Sequence, residues 1–161
     1  MRFLLLCLAA CGTSTSGMSG PTLSGRIQDN SDEAPAIQSN DVLARDATTK
    51  KAVVQHILIS WQDLGAGYAG AQDPRGKQRS RAEADALATQ VLGRVRAGEN
   101  MEALMAEYSE DVGSAKTGRS YPVTPDEKLV FEFKRLSLRL NVGEAGLVKT
   151  SYGWHIIKRL E

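Results

Sequence analysis

The sequence predicts a small α+β domain over residues 52–161, and two kinds of pattern support that prediction. Residues 53–59 and 152–158 are apolar, β-branched runs, typical of buried or half-buried strands. Between these runs, apolar residues recur at helical spacing behind recognisable helix caps. Strands at both ends of a domain, with helices between them, indicate a sheet covered by helices.

Capping residues mark where the first helices begin and end. Ser80 followed by Glu83 matches a capping box, and Gly98 supplies a left-handed stop, so a helix is predicted between them. Asn100 is placed to cap a second, shorter helix, and Ser114 is placed to cap one further turn.

A last helix and two strands complete the predicted order. The helix is expected to begin at Thr124, with Pro125 in the first helical position. Its apolar side is formed by Leu129, Val130, Phe133, Leu136 and Leu140. A short strand at residues 146–149 and a longer one at 152–160 follow. The order is β-α-α-α-β-α-β-β with about four helices, and we expect the first and last long strands to be neighbours at the sheet centre.

The chain has two histidines, His56 and His155, and each lies inside one of the two strand-like runs. A single histidine in such a run is usually a core imidazole hydrogen-bonded to its surroundings. Two histidines on neighbouring strands can hydrogen-bond each other and orient a site from beneath. A metal site is the other alternative, but no Cys, Asp or Glu stands at ligand spacing beside either histidine.

The N-terminus has the pattern of a signal for export and lipidation. One arginine, a short apolar run and the stretch Leu8-Ala9-Ala10-Cys11 resemble a bacterial lipoprotein signal, in which Cys11 carries the lipid. We therefore expect a signal peptide at residues 1–10, and a flexible, low-complexity tether at residues 11–51. The expected location is the cell envelope, on the periplasmic face of the outer membrane. The alternative is a cytosolic chain with a disordered apolar start.

Charge gives little indication of a polyanionic partner. The formal net charge is +1, so neither nucleic acid nor an anionic surface is implied. Residues 61–79 form a long glycine-rich loop, the kind that is usually functional or mobile. Basic residues in and just after it leave two alternatives, a phosphate site or, more in keeping with the composition, a solvated basic loop: Arg75, Lys77, Arg79 and Arg81.

Several short motifs, in this order and spacing, resemble the parvulins, a family of peptidyl-prolyl cis/trans isomerases. They cover nearly all of residues 53–160: Gln55-His56-Ile57-Leu58, Arg81-Ala82-Glu83-Ala84, Gly98-Glu99, Tyr108-Ser109-Glu110-Asp111, Gly113-Ser114-Ala115-Lys116, Leu140-Asn141-Val142-Gly143-Glu144, Val148-Lys149-Thr150 and Gly153-Trp154-His155-Ile156-Ile157. The resemblance implies a parvulin-like fold with a small four-stranded mixed sheet. It also implies isomerase activity without a cofactor or a metal.

The resemblance also implies roles for particular residues. His56 and His155 match the paired strand histidines of the family, and Asp111 stands where parvulins carry a cysteine or an aspartate. These three are the expected catalytic residues. Leu129 and Phe133 match the apolar positions that hold the substrate proline ring, although without the resemblance they would be ordinary core residues of an amphipathic helix. Thr150 matches a hydroxyl at the rim of the site, and Tyr152 occupies a place often held by a small or aromatic residue. Both are expected, with Ser120, to bind the substrate.

One stretch departs from the family pattern. After the Ser-Ala-Lys turn, parvulins usually read Gly-Gly-Asp-Leu-Gly, whereas Ser120 stands here in place of the pocket leucine and Tyr121 in place of the glycine that follows. We expect an isomerase that acts on extended X-Pro segments of unfolded exported proteins. The alternatives are a peptide-binding chaperone or assembly lipoprotein with a degenerate groove, and a tethered domain that docks a specific envelope partner.

Overall fold

Four strands form one sheet in the computed structural model, which describes residues 37–69 and 71–161. The strands are β1 (Ala52–Ile59), β2 (Tyr121–Val123), β3 (Ala145–Thr150) and β4 (Gly153–Arg159). The α-helices of the described residues are α1 (Asn40–Leu43), α2 (Pro74–Gln78), α3 (Arg81–Arg96), α4 (Met101–Tyr108) and α5 (Phe131–Ser137). A 3₁₀ helix, Gln62–Tyr68, follows β1. The α+β class is therefore confirmed, with five α-helices instead of about four.

The strand order across the sheet is β2-β1-β4-β3, so the first and last strands of the chain are its central pair, as expected. All three strand pairs are antiparallel, and the expectation of a mixed sheet was wrong. Only the β3–β4 pair is a hairpin with a short turn, whereas β1 pairs with two strands that lie far away in the chain. Gly153 begins β4 at φ +130°, where an added Cβ would lie 2.4 Å from the Ile59 carbonyl oxygen.

The two faces of the sheet pack against different helices, because strand side chains alternate between faces. One face packs on α3 and α4, and its buried residues include Ile57, Ile59, Ala88, Val91, Leu104, Met105, Trp154 and Ile156. The other face packs on α1 and α5, with Val42, Val54, Val123, Phe133, Leu136, Val148 and Ile157. His56 and His155 belong to this second face, beside α5.

The predicted caps of the two middle helices are confirmed. The Ser80 hydroxyl accepts the Glu83 amide, and the Glu83 carboxylate accepts the Ser80 amide, which completes the capping box of α3. Gly98 follows this helix at φ +89°, a conformation that glycine adopts without steric cost. Asn100 caps α4 by accepting the amide of Ala103.

The last helix begins later than the sequence predicted. Residues 124–130 form turns, and α5 runs only from Phe131 to Ser137, with Val130 at its N-cap position. The Lys134 ammonium donates to the carbonyls of Pro125 and Glu127, so the turns have a partner that competes with helical hydrogen bonding. Ser114 likewise begins a turn and not a helix.

The folded unit extends further toward the N-terminus than the boundary predicted at residues 51 and 52. Val42 of α1 is fully buried, and the Ser39 amide and hydroxyl pair with the Leu147 carbonyl and amide on the edge of β3. Residues 37–51 therefore pack with the domain, because even two apolar side chains can anchor a short polar segment. Residues 1–36, with the predicted signal peptide, Cys11 and most of the tether, lie outside the described residues.

The segment predicted as a long loop contains both the 3₁₀ helix and α2. Asp73 caps α2, and Arg75 pairs with Asp73 and donates to the Ser109 carbonyl. Arg79 is bound to Glu110, and Arg81 lies over the Trp61 ring. These three arginines therefore hold the segment in place through contacts within the domain. None of the helices described is long and apolar enough to span a bilayer.

Candidate active site

The two histidines meet across the central strand pair. His56 lies opposite Ile157, and His155 lies opposite Leu58, so the imidazoles are diagonal neighbours on one face of the sheet. Their Nδ1 atoms are 3.2 Å apart, and both side chains are buried. The rings stack with centroids 5.3 Å apart and planes inclined by 19°. The prediction that the histidines lie side by side is confirmed.

Each histidine has a second partner through its other ring nitrogen. His56 Nε2 lies 3.0 Å from Asp111 Oδ2, and His155 Nε2 lies 3.0 Å from Thr150 Oγ1. Burial, together with the neighbouring His56, holds the pKa of His155 well below its usual value, so His155 is neutral. The four residues form a continuous hydrogen-bonded chain from Thr150 to Asp111.

The ionised end of this chain sets the direction of its first hydrogen bond. A carboxylate only accepts hydrogen bonds, so His56 Nε2 donates to Asp111. Between the two imidazoles, one Nδ1 atom donates and the other accepts. Because both nitrogens of each ring have a partner, the chain fixes the orientation of the two imidazoles.

Asp111 is held as a carboxylate by the turn that follows α4. Its Oδ2 atom accepts the Ser114 hydroxyl at 2.5 Å and the Tyr121 hydroxyl at 2.9 Å, and Oδ1 accepts the Gly113 amide at 3.1 Å. The hydrogen bonds from His56, and then from Ser114, hold the pKa of Asp111 well below its usual range, although partial burial acts in the opposite direction. Asp111 is therefore ionised and fixed in orientation.

Thr150 lies under the site and not at its rim. Its side chain is buried, and its hydroxyl oxygen accepts the Tyr152 amide at 3.0 Å while facing His155. The same hydroxyl therefore joins the β3–β4 turn to the histidine pair. Tyr152, which is partly exposed in this turn, lines the space above.

An apolar cavity of about 420 Å³ lies over the histidine pair. Leu129 and Phe133, predicted from the resemblance to hold a proline ring, both line it. The Phe133 ring lies nearly perpendicular to both imidazoles, with its centroid 5.2 Å from that of His56 and 5.4 Å from that of His155. The described lining residues are His56, Leu58, Gly67, Tyr68, Ala71, Glu110, Asp111, Val112, Tyr121, Leu129, Val130, Phe133, Tyr152 and His155.

The structure changes the interpretation of the stretch that departs from the family pattern. Tyr121 lines the cavity, packs edge-on against His56 at 5.2 Å and donates to Asp111, whereas Ser120 is not among the lining residues. Ser120 precedes β2, and neighbouring residues of an extended chain point to opposite faces. Alternation in the triplet Tyr121-Pro122-Val123 is the signal that could have identified Tyr121 as the residue facing the site.

The 3₁₀ helix forms a further wall of the cavity through Gly67 and Tyr68. The Tyr68 hydroxyl donates to the Tyr152 carbonyl, and the two rings meet edge-to-face at 5.6 Å. Glu110, beside Asp111, accepts the Ser60 amide and hydroxyl and is paired with Arg79 at 2.6 Å. Across residues 37–69 and 71–161, no group of three His, Cys, Asp or Glu side chains is arranged to hold a metal ion.

Comparison with known proteins agrees with this geometry. The family described as the PPIC-type PPIase domain matches residues 41–161. The foldase protein PrsA of Geobacillus kaustophilus is 31% identical over 130 residues, which cover 76% of this chain and 46% of that protein. The chaperone SurA of Pseudomonas fluorescens is 35% identical over 108 residues, or 66% of this chain and 22% of that protein. This chain thus matches less than half the length of either relative.

Solved structures show the same fold. The crystal structure of the peptidylprolyl isomerase PrsA from Bacillus cereus has a TM-score of 0.50 at 27% identity, and the match covers 76% of this chain and 38% of that one. The fold, the motifs and the family match lead to one conclusion. The chain belongs to the PPIC-type peptidyl-prolyl isomerase family, the parvulins.

Proposed function

We propose that this domain catalyses cis/trans isomerisation of X-Pro bonds in polypeptides that are not yet folded. The observation that carries the proposal is the hydrogen-bonded chain of Thr150, His155, His56 and Asp111 beneath an apolar cavity. A cavity of this kind can hold a proline ring in contact with groups of fixed orientation. The foldase and chaperone names of the relatives support a role in protein folding.

The reaction is a rotation, so it needs no bond to be made or broken. Amide resonance opposes that rotation with a barrier of about 18–20 kcal/mol, while the two planar forms of an X-Pro bond differ little in free energy. An enzyme lowers the barrier by binding the twisted amide more tightly than either planar form. Leu129 and Phe133 would hold the proline ring, while the preceding carbonyl turns.

Asp111 would act through its charge. A carboxylate near the carbonyl oxygen of the residue before proline disfavours negative charge on that oxygen. Amide resonance places negative charge on the carbonyl oxygen. When that charge is disfavoured, resonance is reduced and the C–N bond loses double-bond character. The histidine pair would serve this step by keeping Asp111 in position, and Thr150 would hold the orientation of His155. Tyr152 and Tyr121 would contact the peptide on either side.

The alternative of a non-catalytic chaperone with a degenerate groove is less well supported. It depended on the replacement of the pocket leucine by Ser120 and of the next glycine by Tyr121. Tyr121 forms the cavity wall at this point, and its hydroxyl donates a hydrogen bond to Asp111. The change from the family sequence therefore leaves the cavity with a wall here.

We further propose that the domain acts in the cell envelope, on exported proteins, and is anchored through a lipid on Cys11. The lipobox-like stretch at residues 8–11 and the polar composition of the residues after it support this location. Replacing Cys11 with serine is expected to release the protein from the membrane fraction. Continued sedimentation of the Cys11→Ser protein with membranes would refute the lipid anchor.

The isomerase proposal is tested by exchange NMR on short peptides that contain one X-Pro bond. The expected result is a cis/trans exchange rate that rises in proportion to the amount of domain added. His56→Ala should reduce the acceleration, because it separates Asp111 from His155. Exchange no faster than in buffer, with the peptide bound, would overturn the enzyme proposal in favour of a binding module.

A further inference from the structure

The cavity that Leu129 and Phe133 line also carries a pair of aromatic rings on its wall. Tyr68 and Tyr152 both line the cavity, and their rings lie 5.6 Å apart in an edge-to-face arrangement. The faces of tyrosine rings attract cations, including the ammonium of lysine and the guanidinium of arginine. Tyr121 is less available for such a contact, since Arg119 already lies over its ring at 5.2 Å and is not among the residues that line the cavity.

The charge of the wall has the sign that favours a cation. Asp111 and Glu110 both line the cavity, and none of the described lining residues is a lysine or an arginine. Glu110 forms an ion pair with Arg79. The hydrogen-bond partners of Asp111 are an imidazole, two hydroxyls and a backbone amide, and none of them is a lysine or an arginine.

The negative charges of Glu110 and Asp111 also affect the hydroxyl of Tyr68. Burial raises the pKa of Tyr68 to about 12, and the charges of Glu110 and Asp111 act in the same direction. An anionic side chain placed beside Tyr68 would therefore meet repulsion from Asp111, as well as the cost of leaving water.

We propose that the site prefers substrates with lysine or arginine immediately before the proline, and that Tyr68, Tyr152 and Asp111 recognise this side chain. The inference rests on the proposed isomerase function, which places Asp111 beside the carbonyl of that same residue. With the proline ring against Leu129 and Phe133, the long side chain of the preceding residue reaches the tyrosine pair. The site thereby discriminates against glutamate and phosphorylated residues at this position.

The test compares binding and exchange for peptides that differ only in the residue before proline: arginine, leucine, glutamine or glutamate. Binding is measured by NMR titration, independently of turnover. The arginine peptide is expected to bind about three- to tenfold more tightly than the leucine peptide, and the glutamate peptide most weakly. In 0.5 M salt, chosen as roughly a tenfold increase over a low-salt buffer, the gap between the arginine and glutamate peptides should narrow.

Two substitutions assign the preference to its residues. Asp111→Asn and Tyr152→Leu should each lower the ratio of arginine to leucine binding, whereas Asp46→Asn, which removes an exposed charge that does not line the cavity, should leave the ratio unchanged. Equal binding of the arginine and glutamate peptides to the unsubstituted protein at low salt, or no binding of the arginine peptide, would overturn the inference. An intact binding preference without faster exchange would overturn the isomerase proposal alone.

Discussion

His56 and His155 are 99 residues apart in the chain, yet their Nδ1 atoms are 3.2 Å apart across the two central strands. This contact exists because antiparallel pairing of β1 with β4 places His56 diagonally across from His155. The other ring nitrogen of His56 contacts Asp111, and the other ring nitrogen of His155 contacts Thr150. The site is therefore one connected unit, and its parts can be tested separately.

Phe133 contacts both imidazoles and is 5% exposed, whereas Phe131, on the same helix, is 69% exposed. We expect Phe133→Ala to reduce the exchange rate at least about tenfold and to cost roughly 3–5 kcal/mol of unfolding free energy. Phe133→Leu should preserve most of the stability and lose part of the activity. Exchange NMR and urea unfolding measure the two effects.

Phe131→Ala is the matched control, since it removes the same side chain from a position that does not line the cavity. It should change neither exchange nor stability by much. If Phe133→Leu and Phe133→Ala both retain full acceleration, the assignment of the proline pocket to this helix is wrong.

Thr150→Val removes the hydroxyl that joins the β3–β4 turn to His155 while preserving the shape of the side chain. The change leaves a buried imidazole nitrogen and the Tyr152 amide without their partner, so we expect a loss of about 1–3 kcal/mol in stability. Activity should fall about tenfold, because His155 is no longer held in one orientation. Thr150→Ser should restore both. Equal activity of the valine and serine variants at matched fractions of folded protein would contradict this role.

His155 makes the stability of the fold dependent on pH. Its pKa in the folded protein lies well below 6.5, so the unfolded chain binds a proton that the folded chain does not. Stability is therefore highest above pH 6.5 and falls as the pH decreases below that value, by at most about 1.4 kcal/mol per pH unit. Urea unfolding between roughly pH 7.5 and 5 measures this slope.

A His155→Asn variant separates this effect from other titrations. It should be less stable at pH 7 and show a flatter pH profile, since the buried imidazole is gone. Asp111 acts in a different window: its folded pKa is lowered, so its contribution is present above about pH 4 and is lost on further acidification. A profile for the unsubstituted protein that is flat between about pH 7 and 5 would contradict the burial of a neutral His155.

The ion pair between Arg79 and Glu110 joins the end of α2 to the residue beside Asp111. The side chains of Arg79 and Glu110 are 15% and 1% exposed, respectively, and Arg79 Nη1 lies 2.6 Å from Glu110 Oε1. Glu110→Gln leaves a buried guanidinium without its counter-charge, and we expect it to cost about 3–5 kcal/mol in urea unfolding. The double variant Arg79→Met with Glu110→Gln should recover part of that loss.

Arg94 and Glu99 provide a comparison, because they form an ion pair that is far more exposed. Glu99→Gln is expected to have a much smaller effect than Glu110→Gln. An equal effect of the two substitutions, or a double variant no more stable than Glu110→Gln alone, would show that the charge on Arg79 is not the cause.

Some expectations from local pattern agreed with the structure and others did not, and the difference has a physical basis. The capping box at Ser80 and the glycine stop at Gly98 depend on hydrogen bonds within a few residues, so the sequence is sufficient to predict them. The helix start expected at Thr124 had a similar local signal. The helix nevertheless begins at Phe131, and in the turns before it the carbonyls of Pro125 and Glu127 accept hydrogen bonds from Lys134, outside any helical pattern.

The sequence by itself determined the α+β class, the two histidine strands, the middle helices and the family resemblance, because each depends on periodicity or on motif order. Only the tertiary structure decided which side chains share the site. Tyr121 lines the site and Ser120 does not, because the register of β2 against β1 sets which residue faces inward. Thr150 was expected at the rim of the site, but it is buried and contacts His155. Strand pairing and burial, and not local propensity, set its contacts.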